Sequence, residues 1–139
     1  MPRDALAVLW RLRDAAVTEA RRNLAAALAS ESQAARRLNE HHAQTRHEQA
    51  QAAVEHVAQF AEWLPYARQR ADQLQAALMS EQARVQHLRQ LLTGRRTEAE
   101  TVAKAMQRQR QAAELIQARK EQAVMDEAGG RRTLRPGIG

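Results

Sequence analysis

The sequence predicts an all-α protein, a long antiparallel two-helix coiled-coil hairpin, and three observations carry that expectation. The first is composition: aromatics are 3% of 139 residues, with five glycines, three prolines and no cysteine. Ala, Gln, Arg, Glu and Leu fill most of the rest, the residues that lose least conformational freedom in a helix. The second is where the helix breakers fall: Pro2 and Pro136 lie at the ends, Gly129, Gly130, Gly137 and Gly139 come after residue 128, and the interior keeps Pro65 and Gly94. The third is a 3.5-residue apolar repeat, which only a helix wound around a partner helix keeps on one side.

The first arm is expected over residues 4 to 62. Its seam runs through Leu6, Trp10, Val17, Ala20, Leu24, Ala27, Ala34 and Leu38. These side chains are mostly small, and small opposite large lets two helices approach and interdigitate. Beyond His41 the pattern thins, leaving Ala52, Val54, Val57 and Phe60 to carry the packing.

Pro65 is the expected turn. A proline inside a helix removes a backbone hydrogen bond and clashes with the preceding turn, costing about 3 kcal/mol, and it pushes Leu64 out of helical geometry. Folding between Glu62 and Tyr66 gives two arms of about 60 residues, each about 90 Å long at 1.5 Å per residue. Gly94, followed by a capping box at Thr97 and Glu100, offers a competing turn. That alternative leaves about 55 N-terminal residues without a partner helix, at odds with a seam that must be paired.

The second arm, residues 66 to 127, carries the clearer seam. Steps of three and four from Ala71 reach Leu74, Leu78, Glu81, Val85, Leu88, Leu92, Arg95, Ala99, Val102, Met106, Gln109, Ala113, Ile116, Lys120 and Ala123. Twelve of those sixteen positions are apolar, and the register crosses Gly94 without slipping. Residues 129 to 139, with four glycines and a proline, are expected to form a disordered basic tail.

Charge is divided unequally. Residues 1 to 62 hold eight basic and eight acidic side chains, whereas residues 63 to 139 hold fourteen and eight, the whole of the net +6. Such an excess suits a solvated helix face or an anionic partner. Nucleic acid is disfavoured, because Glu98, Glu100, Glu114 and Glu121 interrupt any basic stripe. The short apolar run from Ala5 to Trp10 is followed by Arg11 and Arg13 and suits neither a signal peptide nor a membrane span. With the lack of cysteine, this leads us to expect a cytoplasmic protein.

No catalytic, cofactor or metal site is expected. His41, His42, His47, His56 and His87 nowhere show the four-residue spacing that places two imidazoles on one metal. A turn at Pro65 brings His42 opposite His87, which gives at most a two-histidine site. There is no glycine-rich phosphate loop and no nucleophile context, and a two-helix hairpin encloses no substrate cavity. Phe60, Trp63 and Tyr66 fall within seven residues around Pro65. They either close the hairpin tip on each other or present an aromatic docking patch.

Leu9-Trp10-Arg11-Leu12-Arg13, followed by Glu19-Ala20-Arg21-Arg22-Asn23-Leu24-Ala25, resembles the N-terminal pattern of the FliJ family of flagellar export proteins. Arg119-Lys120-Glu121-Gln122 followed by Met125-Asp126-Glu127-Ala128 is similar to its C-terminal run leading to Asp-Glu. The resemblance implies a non-enzymatic component of the cytoplasmic flagellar type III export apparatus, peripheral to the inner membrane at the flagellar base. It implies a stalk, formed by the paired chain ends, that engages the hexameric export ATPase and links it to the cytoplasmic domain of the export gate and to the export chaperones. Arg119, Lys120, Gln122, Asp126 and Glu127 are then the side chains facing the ATPase. No small-molecule substrate or cofactor is implied, and the chain is expected to be monomeric on its own. The arginine-rich Gly-Gly-Arg-Arg-Thr-Leu-Arg tail departs from the family pattern. Two other readings of the same residues are a homo-oligomeric structural coiled coil joined through Leu74 to Ile116, and a basic coiled coil that binds nucleic acid.

Overall fold

The computed structural model describes residues 2–134, which form two α-helices and, among these residues, no strand: α1 is Pro2–Glu55 and α2 is Val57–Leu134. The two pack against each other as an antiparallel hairpin. Residues Ala15–Arg96 form one compact unit, and Met1–Asp14 with Thr97–Gly139 form another.

The first unit contains the reversal, and His56 alone separates the helices. Its N–H donates to the Ala52 carbonyl at 3.1 Å, closing the last turn of α1, and its carbonyl accepts from the Phe60 N–H at 3.0 Å, opening the first turn of α2. The N–H and the carbonyl of this residue are thus both hydrogen-bonded, one to each helix. The flanking Val54 and Val57, β-branched and weak helix formers, are 80% and 65% exposed. They carry none of the packing expected of them, whereas Ala52 is buried and Phe60 half-buried.

The turn expected between Glu62 and Tyr66 therefore falls nine residues earlier, and Pro65 lies inside α2. The register of the two seams explains why. In α1 the buried and half-buried positions include 17, 20, 24, 27, 31, 34, 38, 41, 45, 48 and 52; in α2 they include 60, 64, 67, 71, 74, 78, 81, 85, 88, 92 and 95. Read in opposite directions the two series match throughout, each pair of numbers adding to 112, a symmetry centred on residue 56. Ala20 falls level with Leu92, Ala27 with Val85 and Ala34 with Leu78, small against large, and Leu24 and Leu38 fall level with Leu88 and Leu74. A turn at Pro65 shifts every one of these layers and loses that complementarity. Pro65 is exposed, so the carbonyl of Ala61 that loses its donor is left where water can reach it.

The α1 seam is more polar than its apolar residues suggested, since His41, Thr45 and Glu48 occupy successive seam positions. The His41 Nε2 lies 2.9 Å from the Ala67 carbonyl, and the Thr45 hydroxyl donates to the His41 carbonyl at 2.9 Å. Glu81, at a seam position of α2, has a buried Oε2 with no hydrogen-bond partner. Nine of the ten buried apolar residues belong to this unit, from Ala27 at 0% exposure to Leu74 at 8%.

In the second unit α1 contributes residues 2–14 and α2 contributes 97–134, so 13 residues face 38. Val102 is its buried residue, Leu6 and Ala99 are half-buried, and Arg13 Nη1 donates to Glu98 Oε2 at 3.2 Å. The α2 seam stays half-buried through Met106, Gln109 and Ala113 and then comes out into solvent: every residue from 114 to 129 is exposed. Beyond that point α1 has no described residue left to cover it. About 31 Å of α2, residues 114 to 134 at 1.5 Å each, overhangs as a single helix.

Candidate partner-binding surfaces

The overhang holds all five residues expected to face a partner. Arg119, Lys120, Gln122, Asp126 and Glu127 are exposed on α2. The expected pairing of this segment with the N-terminal segment is corrected by the earlier turn, because the register places Trp10 level with Val102 and leaves Lys120 without an α1 neighbour. Local side-chain bonds order the surface: Gln117 Nε2 donates to Glu121 Oε1 at 3.3 Å, Gln122 Nε2 to Asp126 Oδ1 at 3.0 Å and Arg131 Nη2 to Glu127 Oε1 at 2.9 Å. Each such four-residue pair is worth a few tenths of a kcal/mol at an exposed site, about 0.2–0.5. The Glu127–Arg131 pair spans Gly129 and Gly130, and α2 continues to Leu134 where a tail was expected from residue 129. A methyl group added at either glycine meets nothing within 4 Å, so neither is there for close approach. Arg135 to Gly139, the remainder of the expected tail, lie outside the described residues.

The overhang also exposes apolar side chains. Leu115 and Ile116 are each 53% exposed, Val124 64% and Met125 69%. Lys120 and Val124 line a shallow open groove with Gln117, Glu121 and Met125. Exposed apolar surface rimmed by charge is the ordinary composition of a protein-docking face.

A second surface sits beside the turn. The Phe60 and Trp63 rings stack obliquely, with centroids 5.7 Å apart and planes at 47°. They line a cavity of about 270 Å³ with Glu48, Gln51, Ala52 and His56. Tyr66 is 72% exposed. Of the three aromatics expected at the tip, two are thus brought together and one projects outward. Glu48 and His56 had no signal of their own; only the correct turn position identifies them.

The histidines do not assemble. His41 and His42 have ring centroids 6.3 Å apart, and the register places His42 level with Arg70 rather than with His87. Among the described residues no group of three or more His, Cys, Asp or Glu is placed to hold a metal. No helix among them is long and apolar enough to cross a membrane.

An antiparallel coiled-coil hairpin with one helix prolonged past the other, charged and apolar along the prolongation, defines a protein-interaction element. The chain belongs to the FliJ family: the family model described as the flagellar FliJ protein matches residues 2–137. It is accordingly a component of the flagellar export apparatus. No curated protein and no solved structure matches the chain.

Proposed function

We propose that the chain is the coiled-coil stalk of the flagellar export apparatus, engaging the hexameric export ATPase through the α2 overhang. Arg119, Lys120, Gln122, Asp126 and Glu127 form the contact. The observation that carries this reading is the exposure of all residues from 114 to 129 beyond the cover of α1, which offers a single helix to a surrounding ring. A lone helix about 10–12 Å across fits a channel that a helix pair does not enter. The charged side chains that line it steer and orient association more than they add raw affinity.

The hairpin then holds the stalk at a fixed place between the ATPase and the cytoplasmic domain of the export gate, at the inner face of the membrane around the flagellar base. The Phe60–Trp63 pair beside the turn, with Tyr66 next to it in sequence, serves as a docking patch suited to the gate or to export chaperones. The chain needs no cofactor and no second copy to complete its hairpin core.

ATP turnover of the purified hexameric export ATPase tests the contact. The wild-type chain is expected to stimulate it, and the combined Asp126→Lys and Glu127→Lys chain to stimulate markedly less with an unchanged far-ultraviolet spectrum. Full stimulation by the double charge reversal places the ATPase contact elsewhere.

A further inference from the structure

The overhang has a property that an ATPase contact does not require: its charges are self-complementary. Seam positions continue along it in unbroken heptad register as Ala113, Ile116, Lys120, Ala123 and Glu127, exposed from Ile116 onward. Beside them Arg119 and Lys120 are followed one heptad later by Asp126 and Glu127. Two copies of this helix laid parallel set each basic pair against its own image and each acidic pair against its own. Laid antiparallel, with Lys120 of one copy level with Ala123 of the other, they set Arg119 against Asp126 of the second copy, twice by symmetry, and bring Lys120 toward Glu127 of that copy. The same alignment lays Ile116 along the aliphatic stem of Glu127 of the second copy and covers part of the apolar surface at Val124.

We propose that the overhang of α2 is a docking site for a second copy of this chain, bound antiparallel over residues 113 to 130. The local partners are no obstacle. Gln122 holds Asp126 and Arg131 holds Glu127 through exposed four-residue bonds, which exchange at little cost. About two and a half heptads whose seam offers one isoleucine and two alanines make a weak interface, so the pair forms at high protein concentration and low salt, and the dilute chain is monomeric. The proposal stands on the charge pattern alone and is independent of the ATPase reading.

Sedimentation equilibrium of the full-length chain tests it, at about 20 mM and about 300 mM salt, where exposed ion pairs are respectively felt and screened. Reversible monomer–dimer association is expected at the lower salt and is weakened at the higher. Arg119→Glu with Lys120→Glu, and separately Asp126→Lys with Glu127→Lys, should each weaken self-association by about tenfold or more, as like charges meet. An equimolar mixture of the two chains should form a heterodimer, and the chain carrying all four substitutions should dimerise as the wild type does. Disulfide formation between Ile116→Cys on one copy and Glu127→Cys on the other fixes the antiparallel register. A wild-type chain that stays monomeric at every concentration overturns the proposal, as does failure of the four-substitution chain to recover dimerisation. So does association that is indifferent to salt and to all four charges, the result expected if hairpins exchange helices instead. None of these measurements includes the ATPase, so their failure leaves the stalk contact to be judged on its own assay.

Discussion

Replacing Pro65 by alanine distinguishes a turn at that residue from a helix that runs through it. In the structure Pro65 is the ninth residue of α2 and exposed, so its ring contributes little packing. A helix-interior proline costs about 3 kcal/mol relative to alanine through the missing N–H and the clash with the preceding turn. Two effects reduce the gain: bending relieves part of the clash, and proline restricts the unfolded chain by about 0.4–1 kcal/mol, which alanine gives back. The net expectation is about 2 kcal/mol of stabilisation. With an unfolding entropy of about 2.1 cal/mol/K per residue over 139 residues, roughly 0.29 kcal/mol/K, the melting temperature should rise by about 7 °C. Thermal melting followed at 222 nm reads this directly, with the mean ellipticity also rising slightly. If the chain instead reversed at Pro65, alanine would remove a turn former from a position that needs one. A melting temperature that is unchanged or lower refutes the continuous α2.

Three further substitutions probe the hairpin. Glu81→Leu removes a buried, unpartnered carboxylate oxygen from a seam position and should stabilise by about 1–3 kcal/mol, measured by urea denaturation; a loss of stability means that Glu81 has a partner in solution. Leu88→Arg puts a charge among apolar neighbours at a half-buried seam position and should cost several kcal/mol, about 3–5, lowering the melt; an unchanged melt means Leu88 faces solvent. Cysteines at Trp10 and Val102, which the register sets level in one unit, should form a disulfide within one chain, whereas a Trp10 cysteine that bridges to Lys120→Cys instead restores the later turn.

The all-α class and the α2 seam were legible because a heptad repeat is a statement about one helix face, and the burial of Leu74, Leu78, Val85, Leu88, Leu92 and Val102 follows it residue by residue. The turn was not legible for a physical reason. A proline is a strong local signal, but at an exposed position its cost of about 3 kcal/mol is smaller than that of misaligning eleven seam layers. Nothing in Ala53-Val54-Glu55-His56-Val57 announces a reversal, since the segment holds neither proline nor glycine and His56 itself keeps a backbone bond to each helix. The polar seam of α1 at His41, Thr45 and Glu48 hid the matching series that locates the centre of symmetry. The turn position also decides the candidate site: a reversal at Pro65 pairs Arg119 to Glu127 with the N-terminal segment, whereas the reversal at His56 leaves them exposed. Arg119, Lys120, Gln122, Asp126 and Glu127 are singled out by the resemblance of the C-terminal run; that they are exposed on α2 with no described residue of α1 beside them follows only from the register. Glycines at 129 and 130 signal a helix end, yet α2 continues across them to Leu134.

The most direct measurement is ATP turnover by the hexameric export ATPase titrated with the full-length chain and with a chain ending at Ala113. The hairpin core lies within residues 6 to 113, so the shortened chain should keep its helical spectrum and nearly all of its thermal stability. If the overhang is the ATPase contact, the full-length chain accelerates turnover and the shortened one does not. Equal acceleration by a folded shortened chain would contradict the overhang as the point of engagement.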